Sequence, residues 1–235
     1  MTKEPAPLIR TRGLTKDYGA TTALDGLDLD VLPGQIVGLL GENGCGKTTL
    51  LKILAGVLSG YTGEVSIAGH SPGPQSKAHV SFLPDASFLA DGVRVSYCLE
   101  LYQDFFADFD AQKARDLISF FGLSESMRLK EMSKGMREKV QVALAMSRRA
   151  QVFLLDEPIS GVDPAAREVI LDGILRNLAE DSLLLIATHL IHDLEPALDA
   201  AVMMRHGQVV LQGQVDDLRA EHSASLDQIF KETYR

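Results

Sequence analysis

No stretch of these 235 residues approaches the roughly 18 uninterrupted apolar residues of a membrane-crossing helix, so no span of the bilayer is expected. The N-terminus lacks an apolar stretch as well: Lys3, Glu4 and Arg10 surround two prolines, a pattern that argues against a secretory signal peptide. Cysteine is scarce. Two thiols, Cys45 and Cys98, exclude a disulfide scaffold, offer no thiol-based metal site and fit a reducing compartment. Basic charge is outnumbered, with 23 Lys and Arg against 32 Asp and Glu; a net charge of −9 leaves no basic stripe for nucleic acid, and none is expected as a partner. Low-complexity tracts and internal repeats are missing too. What remains is a chain that is 46% hydrophobic, enough for one large domain or a core with a subdomain, expected to be soluble and cytoplasmic.

One eight-residue segment stands out from this background. Gly41-Glu42-Asn43-Gly44-Cys45-Gly46-Lys47-Thr48 has the spacing of a phosphate-binding loop: Gly, four residues, Gly, Lys, and Ser or Thr. Glycines let the main chain curl until its N–H groups converge on an anion. Lys47 is placed to reach the β- and γ-phosphates, Thr48 offers a hydroxyl to Mg²⁺, and Cys45 is expected to contribute its backbone N–H rather than its sulfur. The context fits, because Gln35 to Leu40 reads as a buried strand and Thr49 to Ala55 as a mostly buried helix stopping near Gly56. The helix would turn the positive end of its dipole toward the phosphates.

Along the rest of the chain, Leu8 to Pro33 alternates and turns often, which predicts antiparallel strands, and a further strand pair is expected around residues 64–67 and 79–82. From about Val93 to Met146 the spacing of Leu99, Tyr102, Phe105 and Phe106, then Ala114, Leu117, Ile118 and Phe121, predicts an inserted helical subdomain whose aromatic stripe is core. Two short apolar runs follow, residues 152–155 and 183–187, separated by a helix that Asp163 could cap with Pro164 in its first turn. Strand, helix and strand in that order imply a parallel sheet, in which ligands gather at the carboxyl ends of the strands. Those ends carry Gly41 to Thr48, then Asp156-Glu157, then Thr188-His189. Asp156 is the candidate to hold Mg²⁺, Glu157 to polarise a water for in-line attack, and His189 to sense the γ-phosphate or organise that water.

In this order, and over nearly the whole chain from about Leu8 to Gly213, the motifs resemble those of the ATP-binding cassette (ABC) ATPases that power ABC transporters. The resemblance adds Tyr18 as the aromatic that stacks on adenine, extends the loop to Thr49, and makes Met132-Ser133-Lys134-Gly135-Met136 a signature and Ser160-Gly161-Val162-Asp163 a D-loop. It implies an α/β fold, a P-loop NTPase core with a mixed, largely parallel sheet. With it come an antiparallel β-subdomain (core and β-subdomain about 1–87 and 148–213), a helical subdomain (about 88–147) and a short tail (214–235). ATP and Mg²⁺ are the implied cofactors. A second cassette, identical in a homodimer, would supply Ser133 and Gly135 to the first one's nucleotide, and Ser133 is itself a good N-cap for the helix behind it. Separate membrane permease subunits would be the other partners, placing the chain on the inner face of the cell membrane.

Two departures matter. The usual signature is Leu-Ser-Gly-Gly-Gln, whereas Lys134 and Met136 here replace the first Gly and the Gln; and Asp85 stands where the family has a Gln that ligates Mg²⁺. Asp85 is shorter and charged but could still ligate the ion. These features resemble ATPases of bacterial ABC-2-type exporters, some linked to antibiotic or peptide resistance. Two alternatives remain open on the residues alone. A non-transport cassette ATPase would be expected to carry fused cassettes or long coiled coils, and a non-hydrolysing ATP-dependent regulatory module would be expected to lack Glu157. The stretch from Asp227 to Arg235 reads as a short helix.

Overall fold

A computed structural model describes residues 6–234; Lys3, Glu4 and Arg235 lie outside the described residues. The chain opens with β1 (Ile9–Tyr18) and β2 (Thr21–Val31), long antiparallel strands whose partners run from Ile9 opposite Val31 to Tyr18 opposite Thr21. Then follow β3 (Ile36–Leu40), α1 (Lys47–Leu54), β4 (Thr62–Ile67), the short α2 (Pro74–Lys77) and β5 (Val80–Leu83). The helical stretch holds α3 (Val95–Phe105), α4 (Ala111–Phe120) and α5 (Lys134–Met146). The chain then continues through β6 (Val152–Asp156), α6 (Pro164–Leu175), β7 (Leu183–Thr188), α7 (Ile191–Leu194), β8 (Ala200–Arg205), β9 (Gln208–Gln214), α8 (Val215–His222) and α9 (Leu226–Thr233).

The strands form two sheets. A three-stranded antiparallel sheet has the order β2-β1-β4, and a six-stranded sheet has the order β5-β6-β7-β3-β8-β9, parallel except for the antiparallel edge strand β9. The expected pairing of residues 64–67 with 79–82 is corrected. β4 joins β1 in the antiparallel sheet, and β5 joins β6 in the parallel one. The burial of the two strands differs accordingly: β4 is exposed over its first half, while β5 is buried along almost its whole length. Nearness in sequence gave no guide to partner because two different sheets compete for adjacent strands.

The parallel strands are buried on both faces, which is why their sequences are nearly continuous apolar runs. Leu40, Phe153, Leu155, Leu184 and Ile186 face one core cluster, shared with helices α3 to α7; Val37, Leu39, Val152, Leu154 and Leu185 face the other, shared with α1 and the antiparallel sheet. The aromatic stripe of the helical stretch is core only in part. Phe121 is buried and Tyr102 packs against Phe88, Phe106 and Phe109, but Phe105 is 75% exposed.

Candidate functional site

Register puts the chemistry in one row. In the parallel sheet Leu83 lies opposite Leu155, Asp156 opposite Ala187, and Leu40 opposite Thr188, so the residues that follow each strand emerge side by side at one edge. There they surround a cleft of about 190 Å³ lined by Asn43, Gly44, Gly46, Lys47, Thr48 and Thr49 from the loop and the start of α1, by Asp85, Asp156 and Glu157, and by Ala23 of β2.

The loop takes its shape from glycine. Gly44 and Gly46 have φ of +83° and +111°, and a Cβ on Gly46 would strike the Ala23 carbonyl and Leu24. The first glycine has no room either: a Cβ on Gly41 would lie 2.5 Å from Cys45 Sγ and 2.6 Å from the Met204 carbonyl oxygen. Lys47 is 6% exposed, and its amine donates to the carbonyls of Gly41 (2.6 Å) and Glu42 (3.1 Å), as a buried ammonium requires. The Cys45 N–H donates to the Glu42 carbonyl at 3.3 Å, so it closes the loop on itself instead of pointing into the cleft as expected. Gly41, Glu42 and Cys45 do not line the cleft: Gly41 and Cys45 are buried and Glu42 is exposed, and burial pushes the Cys45 thiol up.

Asp156 ends β6 and is 1% exposed, with neither carboxylate oxygen meeting a hydrogen-bond partner among the described residues. Burial pushes its carboxyl up from the usual range. A buried, unpartnered carboxylate beside the Thr48 hydroxyl fits a divalent cation. Among the described residues no group of three or more His, Cys, Asp or Glu could hold a metal alone, so the remaining ligands would come from phosphate and water.

Glu157, the next residue, adopts φ +51°, a left-handed conformation uncommon outside glycine. Its carboxylate is fixed on two sides. The Thr188 hydroxyl donates to Oε2 at 3.2 Å, and His189 Nδ1 lies 2.9 Å from Oε1. Thr188, which the sequence placed at a strand end without a role, also accepts from the Leu190 N–H at 3.0 Å and so shapes the turn that presents His189.

Other expected residues stay outside the cleft. Tyr18 ends β1 half-exposed, with the Lys16 ammonium 5.1 Å from its ring centroid. Asp163 caps α6, accepting from the Ala166 N–H at 3.0 Å. Ser133 caps α5, accepting from the Met136 N–H at 3.3 Å. Gly135, in the first turn of α5, lies close to Val162, and Lys134 lies over Gly161.

A glycine-rich loop opening a helix, with two acids and a histidine on the neighbouring strand ends, defines a nucleoside-triphosphate-binding α/β domain. The ABC transporter family profile matches residues 24–160. The chain is 31% identical over 220 residues to the Nod factor export ATP-binding protein I of Ralstonia nicotianae, covering 90% of this chain and 68% of that protein. It is 30% identical over 222 residues to a daunorubicin resistance ATP-binding protein of Streptomyces coeruleorubidus, covering 91% and 70%. A solved structure of the ATP-binding subunit of an ABC transporter superposes with a TM-score of 0.87 at 27% identity, over 97% of this chain and all of that one. The chain belongs to the ABC transporter family, as an ATP-binding subunit with the ABC ATPase fold and the ATPase activity of that family.

Proposed function

We propose that this chain pairs head to tail with a second cassette on ATP, that the closure drives a separate membrane subunit, and that the transporter is an exporter. Export is supported by the relatives named for Nod factor export and daunorubicin resistance. No helix among the described residues is long and apolar enough to cross a membrane, which supports a permease on another chain. In this reading the helical subdomain of about residues 88–147 meets the membrane subunit from the cytoplasmic side.

The observation that carries the pairing is the division of the site. Lys47, Thr48, Asp156 and Glu157 line one cleft, with His189 bonded to Glu157, whereas Ser133 and Gly135 sit elsewhere at the start of α5. A capped helix start suits an anion such as phosphate. A partner's triphosphate would supply one.

In the proposed site the loop from Gly41 to Thr49 cradles the phosphates, Tyr18 stacks on adenine, and Asp163 meets the partner cassette's site. Thr48, Asp156 and Asp85 would hold Mg²⁺, which there would neutralise charge on the phosphates. Glu157, oriented by Thr188 and His189, accepts a proton from the attacking water as its oxygen bonds to the γ-phosphorus and the bond to the ADP oxygen breaks. Lys47 and the partner's signature balance the charge that develops.

Glu157→Gln keeps the shape of the site and removes the base. It should cut phosphate release by about 100-fold or more and accumulate an ATP-bound dimer in size-exclusion chromatography with light scattering. Undiminished phosphate release with no dimer would refute the proposal.

A further inference from the structure

The proposed chemistry makes no use of the last helix, yet α9 is firmly docked. Ser225 caps it, Leu226 and Ile229 are buried, and Glu195 Oε1 accepts from the Leu226 N–H at 2.9 Å while also receiving Arg219. Tyr234, just past the helix, stacks on Phe230 with ring centroids 4.2 Å apart. The Arg205 guanidinium lies 5.9 Å from the Tyr234 centroid and donates to the Thr233 carbonyl at 3.3 Å. Thus two residues from β8 and α9 hold the ring in place.

The Tyr234 hydroxyl donates to the Met204 carbonyl oxygen, at the point where the β8–β9 ladder shifts register. That carbonyl lies against the first glycine of the phosphate loop. A Cβ on Gly41 would be 2.6 Å from the Met204 oxygen and 3.4 Å from the Tyr234 hydroxyl. Gly41 in turn offers its carbonyl to the Lys47 amine at 2.6 Å. The contacts therefore run without a gap from Tyr234 through Met204 and Gly41 to the amine that is proposed to meet the phosphates. Burial pushes the Tyr234 hydroxyl up, so it remains a donor at neutral pH. A second brace stands beside the first: the Gly207 N–H donates to the Cys45 carbonyl at 3.0 Å.

We propose that Tyr234 is a positioning residue for nucleotide binding, its hydroxyl fixing the Met204 carbonyl against Gly41 and so setting the shape of the phosphate loop from behind. A loop whose N–H groups must converge on a phosphate loses affinity when its floor can relax. The proposal assigns α9 a role in binding and makes the docked tail a control point, since displacing it would loosen the loop. It rests on the reading of Gly41 to Thr49 as the phosphate cradle.

The test is ADP binding by isothermal titration calorimetry, with thermal unfolding measured alongside, for the full chain and for Tyr234→Phe and Tyr234→Ala. Tyr234→Phe keeps the ring and its stacking and removes only the hydroxyl. It should raise the Kd for ADP about fivefold, or about 1 kcal/mol, and lower Tm by no more than the few degrees that one hydrogen bond is worth. Tyr234→Ala should weaken binding further. A Tyr234→Phe protein that melts lower but binds ADP like the wild type would overturn the inference, because a merely structural tail behaves that way. Wild-type chain that binds no ADP would instead overturn the phosphate-cradle reading beneath it.

Discussion

Glu157 holds a backbone conformation that costs a residue with a side chain about 1–3 kcal/mol, and Thr188 and His189 hold it there. Strain of that kind persists where the surroundings over-determine it, and here it sits at the acid proposed to activate water. The other acids near the cleft differ in how they are buried. Glu138, 7% exposed on α5, has its carboxyl pushed up by burial from the ordinary 4.5 to about 7, with Lys134 pulling it down and Asp85 pushing it up. The folded chain therefore keeps a proton that the unfolded chain releases. The stability this contributes is complete below about pH 4.5 and is lost progressively as the pH rises through about 7, on the order of 3 kcal/mol in all. Urea unfolding between about pH 5 and pH 8 should show that decline in the wild type and a flatter profile in Glu138→Gln. At this scale much was legible: spacing located Gly41 to Thr48, a strand end located Asp156 and Glu157, and the family resemblance located Ser133. Tyr234 and Ala23 were invisible because nothing in their local sequence distinguishes them, and Thr188, though placed at a strand end, carried no sign of its bond to Glu157. Each reaches the site only through tertiary packing.

Elements bring those residues together through register, and register is the part that sequence shows least. The buried runs of β3, β6 and β7 were readable because a strand covered on both faces is apolar throughout. The partners of β4 and β5 were not, since each strand carries the pattern of its burial and no mark of which sheet it joins. Phe105 misled for a related reason: helical spacing fixes a face, but which residues of that face are covered depends on the elements packed there. The join between helices offers a test. Gly173 lies inside α6, where alanine would normally favour the helix by about 1 kcal/mol. A Cβ there would come within 2.5 Å of the Phe121 ring of the buried α4 contact. Gly173→Ala should therefore destabilise the chain by about 1–3 kcal/mol in urea unfolding. Stabilisation by that substitution would show that the ring moves freely and that the α4–α6 contact is loose.

The whole molecule has two separate features that the proposed function assigns to nucleotide. The cleft at the strand ends holds a lysine, a buried unpartnered aspartate and a braced glutamate, while the capped start of α5 lies outside it. Two chains related by a two-fold axis would complete both sites at once, because each would give its loop to one nucleotide and its Ser133 and Gly135 to the other. With Lys134 and Met136 beside them, Ser133 still caps the helix and Gly135 still stands in its first turn. Complementation tests this division most directly. Lys47→Ala disables the loop, Ser133→Arg disables the signature, and each protein alone should release almost no phosphate from ATP. Mixed in equal amounts, they should regain about a quarter of wild-type turnover, because half of the dimers are mixed and each of those has one complete site of two. A mixture no more active than the two inactive proteins measured separately would contradict an active site shared between chains.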